Sequence, residues 1–117
     1  MSKARMELFS EVCMRKFPFH DLHGFKDYAG FVRLCAPNMF PTRDGRPAED
    51  QWTLELAFEG LRHGLCLTAK EKGELPILLR CRELVEEAYV HYQAGREREG
   101  FLTLREMQNL LKTIPSQ

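Results

Sequence analysis

Residues 47–73 read PAEDQWTLELAFEGLRHGLCLTAKEKG, and the spacing of the apolar residues in this stretch decides the fold class. Leu54, Ala57, Phe58, Leu61, Leu65 and Thr68 recur at intervals of three and four, which puts them on one face of an α-helix. Trp52, Leu56, His63 and Leu67 widen that face, so the helix is expected to meet neighbours on two sides. Pro47 followed by Ala48, Glu49 and Asp50 has the chemistry of a helix start. Proline needs no amide hydrogen in the first turn, and acids suit the positive end of the helix dipole. Lys70 and Lys72, then Gly73, have the chemistry of a helix end. The stretch predicts a central helix running from about Pro47 to Lys72.

The same period continues on both sides. Upstream, residues 3–16 place Met6, Phe9, Val12 and Cys13 on one face, before Phe17-Pro18-Phe19 interrupts the pattern. A second candidate helix begins at Asp21 or Gly24 and carries Phe25, Tyr28, Ala29, Val32 and Cys35. It stops at Ala36, because the residue before Pro37 is pushed out of helical geometry. Downstream, residues from Pro76 to Gly95 turn Ile77, Cys81, Leu84, Val85, Ala88 and Tyr92 inward. Residues 97–113 align Phe101, Leu104, Met107 and Leu111 with Ile114 beyond them, and Pro115 ends the run. No segment alternates apolar and polar residues long enough to make a strand. The expectation is an all-α, single-domain chain over residues 1–117, a compact bundle of about five helices. Short links at Gly73 and Gly95 would make the last three antiparallel neighbours.

Composition narrows the function classes. With 117 residues and 44% hydrophobic content, the chain can bury one core without staples. Its 17 Lys and Arg balance 17 Asp and Glu. Nucleic-acid binders carry a basic excess, so that class is disfavoured. The charge is mildly uneven: residues 1–46 hold eight basic and five acidic side chains, the remainder nine and twelve. Cys13, Cys35, Cys66 and Cys81 are well separated and each sits among apolar neighbours. They read as free core thiols, which implies a reducing, cytoplasmic setting. The first residues contain no apolar run, so neither a signal peptide nor a membrane span is expected.

Ala88, Tyr89, Tyr92 and Gly95, followed by Gly100, Leu104 and Met107, form a pattern that resembles a single tetratricopeptide-type helical hairpin. The resemblance covers residues 88–107 and implies that two helices approach closely there, with aromatic rings filling the gap. The tryptophan-leucine-glycine opening of that family is missing and no second copy is present, so no binding residue carries over.

Few residues point to chemistry. His20 and His23 share a three-residue spacing, as do His63 and Cys66. A closed zinc site needs four ligands, and no paired CxxC or HExxH motif supplies them. No metal and no cofactor are expected. A reactive thiol should sit partly exposed in an electropositive setting, whereas each cysteine here reads as part of an apolar stripe. Ser2, Ser10 and Ser116 lie at or near the chain ends and none occupies a strand-turn-helix elbow. Glu86 and Glu87 sit among arginines and read as a solvated helix face. No enzymatic activity and no catalytic residue are expected. Gly60 and Gly64 form a G-x-x-x-G within a charged helix, which points to close packing of another helix.

The clearest loop is residues 37–46. Met39, Phe40, Arg43, Asp44 and Arg46 there make the candidate partner-binding site, since methionine, aromatic residues and arginine are enriched in interface anchors. In a second reading Phe40 and Met39 tuck into the bundle edge as an apolar plug. The leading functional expectation is a small cytoplasmic protein that binds another protein, of the immunity or inhibitor type found in bacteria. One alternative is a nucleic-acid-binding regulator with a helix-turn-helix in residues 21–60, although the loop there exceeds the short turn such a motif uses. The other is a small-molecule binder using a pocket beside Trp52.

Overall fold

The computed structural model describes residues 17–116, and all regular structure among them is helical. The described residues form four α-helices: α1 (Leu22–Cys35), α2 (Leu54–Lys72), α3 (Pro76–Gln93) and α4 (Glu97–Lys112), with one short 3-10 turn at Ala48–Asp50. The all-α bundle expected from the apolar period is therefore present. The candidate helix at 3–16, with Cys13, lies outside the described residues.

Local chemistry sets each boundary. The Asp21 carboxylate accepts a hydrogen bond from the Gly24 amide at 2.9 Å and caps α1. Ala36, held extended ahead of Pro37, ends it. The start of the central helix differs from the sequence reading. The residues after Pro47 make only a 3-10 turn, and α2 begins at Leu54. Two forces explain the shift. The Thr53 hydroxyl accepts from the Leu56 amide at 3.0 Å, a cap that Arg46 could not provide. The Gln51 side chain is drawn back to the backbone of Arg43 and Arg46, which breaks the helical path at 51–53. Gly73 and Gly95, at φ 88° and 80°, turn the chain out of α2 and α3.

Packing is cyclic: α1 lies against α2, α2 against α3, α3 against α4, and α4 back against α1. Phe25, Phe58, Leu61, Leu65, Leu84, Leu104, Met107 and Leu111 fill the centre and are fully buried. The G-x-x-x-G of α2 is where α1 enters. A methyl group at Gly60 would sit 2.1 Å from the Tyr28 hydroxyl, and one at Gly64 would sit 2.0 Å from the Phe25 ring. The α3–α4 pair is likewise tight, since a Cβ at Gly100 would lie 2.8 Å from the Tyr92 ring. Close approach of these two helices was what the hairpin resemblance implied.

Two details of the inward faces are corrected. On α3 the fully buried residue of the first turn is Leu78, and Ile77 is half-buried. The cysteines are not all core residues. Cys81 is buried, with its sulfur 3.9 Å from the Met107 carbonyl, and burial pushes its thiol up to about 11. Cys35 is half-buried and Cys66 is exposed; all three are free thiols. Cys66 follows Leu65 by one residue, a rotation of roughly 100°, which carries it off the buried stripe despite its apolar neighbours.

Candidate loop and aromatic pocket

The 37–46 loop is held by side chains from beyond its own end. The Gln51 amide works as a clamp: its oxygen accepts from the Arg43 amide at 2.8 Å, and its nitrogen donates to the carbonyls of Arg43 at 2.8 Å and Arg46 at 3.0 Å. The Arg43 guanidinium lies over the Trp52 ring, 4.5 Å from its centre, and donates to the Asp50 carbonyl at 3.1 Å. Burial, and the nearby Arg46, pull the Arg43 pKa below its ordinary value. This arrangement sets the shape of the loop at residues 43–46, tied to Asp50, Gln51 and Trp52.

The five candidate residues separate within that shape. Phe40 is half-buried, with ring centres 5.8 Å from Phe31 and 6.2 Å from Trp52. It follows the plug reading. Met39 is 74% exposed and does not. Asp44 and Arg46 are exposed, and Arg43 is half-buried. The loop is thus an apolar foot with an exposed methionine and charged crest.

Below the loop, aromatic rings run in a continuous chain. Phe17 and Phe19 contact Tyr28, Tyr28 contacts Phe31 and Trp52, and these two contact Phe40. Tyr28 is anchored because its hydroxyl donates to the Ala57 carbonyl at 2.8 Å, and burial raises its pKa far above the usual phenol range. A pocket of about 370 Å³ opens along this chain, lined by Pro18, Gly24, Asp27, Tyr28, Phe31, Arg43 and Trp52. The sequence pointed to a pocket beside Trp52 but missed its walls. Tyr28 was read only as core, and Asp27 and Phe31 carried no signal because their nearness to Trp52 is created by the packing of α1.

The histidine pairs do not converge. His20 and His23 are exposed. His63 stacks on Phe17 and Phe19, 5.7 and 5.9 Å between ring centres, while its sequence partner Cys66 is exposed. Among the described residues no three His, Cys, Asp or Glu side chains form a group able to hold a metal ion. Glu86 forms a two-point ion pair with Arg62 at 2.7 and 2.9 Å, linking α3 to α2. Among the described residues no helix is long and apolar enough to cross a membrane.

No protein-family model, curated protein or solved structure gives a significant match to the chain.

Proposed function

We propose that this is a small cytoplasmic protein that acts by binding another protein, of immunity or inhibitor type, without chemistry of its own. The contact surface is the crest of the 38–46 loop: Met39, Arg43, Asp44 and Arg46, with Phe40 as its apolar foot. One observation carries this reading. Met39 stands 74% exposed on a loop whose backbone is clamped by Gln51 and whose Arg43 is laid over Trp52. A large apolar side chain carried on a backbone already held in place buries apolar surface on association without the further cost of ordering that backbone. Arginines beside it supply the charge that orients a partner.

The test is capture of the partner from the native cell by wild-type protein and by a Met39→Asp, Arg46→Ala variant. Loss of a specific protein partner, with the melting temperature kept, supports the reading. Equal capture by both proteins refutes it.

A further inference from the structure

We propose that the aromatic pocket between α1 and Trp52 takes one side chain of the protein partner, a large apolar residue with a lysine or arginine beside it that meets Asp27; this rests on the partner-binding reading of the loop and extends its surface onto α1. The pocket's volume of about 370 Å³ lies at the small end of ligand sites and suits a single side chain. Its walls include Tyr28, Phe31 and Trp52, with the Phe31 and Tyr28 ring centres 5.4 and 5.8 Å from that of Trp52. Tryptophan and tyrosine in such pockets are the residues that most often carry binding energy at protein interfaces. Arg43 closes one wall, but its guanidinium is committed to the Trp52 ring and the Asp50 carbonyl, so it belongs to the frame and takes no part in holding the partner's charge.

Exposed apolar residues continue the pocket along the surface. Asp27, Phe31 and Leu34 follow one another at spacings of four and three on α1, which puts them on one face of the helix. Leu34 is 70% exposed. The Met39 amide donates to the Cys35 carbonyl at 2.7 Å, which holds Met39, itself 74% exposed, beside the end of α1. A single exposed leucine is ordinary. Leu34 and Met39 flanking an aromatic pocket have the composition of an interface core. Charge then selects the partner. Asp27 lines the pocket and is exposed, and its carboxylate makes no ion pair among the described residues. A partner that covers Phe31 and Leu34 takes water away from Asp27, and a carboxylate left unpaired there is costly. A segment that brings a cation pairs with it, and an acidic segment is repelled.

The full chain is panned against a displayed library of short random peptides that contain no tryptophan. Trp52 is the only tryptophan in the chain, so its emission reports whether an enriched peptide, resynthesised and titrated, enters the pocket. The expected peptides carry a large apolar residue with a lysine or arginine close beside it, and they shift Trp52 emission saturably. Asp27→Lys and Leu34→Asp, both at exposed positions, should keep the melting temperature and weaken these peptides by about tenfold or more. The proposal is overturned if no sequence is enriched, if the enriched sequences lack a basic residue or leave Trp52 emission unchanged, or if Asp27→Lys binds them as tightly as the wild type. Neither variant touches Met39 or Arg46, so the two readings fail separately. A native partner lost by the Met39→Asp, Arg46→Ala variant but kept in full by Asp27→Lys overturns the pocket and leaves the crest, and the reverse overturns the crest and leaves the pocket.

Discussion

The Phe25 ring and the Gly64 backbone lie so close that a methyl group on Gly64 would stand 2.0 Å from two ring carbons. Both residues sit at the crossing of α1 and α2, and Phe25 is fully buried. Gly64→Ala gains about 1 kcal/mol of helix propensity but forces a buried ring to move, at a cost of about 1–3 kcal/mol or more. Gly30 on α1 provides the contrast. A methyl group there meets only the end of the Gln108 side chain, at 2.9 Å, which can swing away. Gly30→Ala should raise the denaturation midpoint and Gly64→Ala should lower it, although both make the same exchange in a helix.

Two buried tyrosines should respond oppositely to loss of their hydroxyls. The Tyr92 oxygen has no hydrogen-bond partner among the described residues, and burial pushes its pKa up to about 12. Tyr92→Phe should leave stability unchanged or raise it by up to about 1 kcal/mol, because an unpaired buried polar group is removed. Tyr28 donates to the Ala57 carbonyl, so Tyr28→Phe should cost about 1 kcal/mol. Chemical denaturation of the two variants checks the difference in sign.

Acid should weaken the fold through His63 before the carboxylates titrate. Burial against Phe17 and Phe19, aided by Lys70, lowers its pKa below the ordinary 6.5. Below 6.5 the unfolded chain takes up a proton that the folded chain resists, so stability falls as protons are added. The contribution is complete above 6.5 and is lost as the pH drops through the lowered folded value. The melting temperature should decline as the pH falls below 6.5, and His63→Phe should flatten that decline.

Arg43 and Phe40 should matter to folding, which sets them apart from the rest of the loop. Arg43→Ala removes a cation–π contact with Trp52 and a hydrogen bond to the Asp50 backbone carbonyl, together about 1–3 kcal/mol. Phe40→Ala opens a half-buried ring contact and should cost about 2 kcal/mol, short of a full core loss. Arg46→Ala and Met39→Ala, at exposed positions, should move stability by less than about 0.5 kcal/mol. Thermal melts of the four variants separate the two groups.

Much of the fold was legible because its signals are local. Pro37, Gly73, Pro76 and Gly95 punctuate the helices where the chain turns, and the apolar stripes of α2 and α4 are buried apart from Leu54 and Phe101, which are half-buried. What was misread depends on distant partners. Pro47-Ala48-Glu49-Asp50 has helix-start chemistry, yet Gln51 bonds back across eight residues to Arg43 and diverts the chain. Cys66 has apolar neighbours in sequence but points away from them in space. The candidate loop was visible from its residue types; that Phe40 packs while Met39 stands free could be seen only once Phe31 and Trp52 had come together.

The central claim, that the loop crest binds a protein partner, is tested most directly by measuring how much partner is retained from native-cell extract by immobilised wild-type protein and by the Met39→Asp, Arg46→Ala variant, with both melts recorded. The account predicts one specific protein retained by the wild type. It also predicts melting curves that coincide and a drop in affinity for the variant of about thirtyfold or more, the scale of a lost interface anchor. Retention of the same protein at equal affinity by both would contradict it, as would the absence of any specific protein on the wild-type chain.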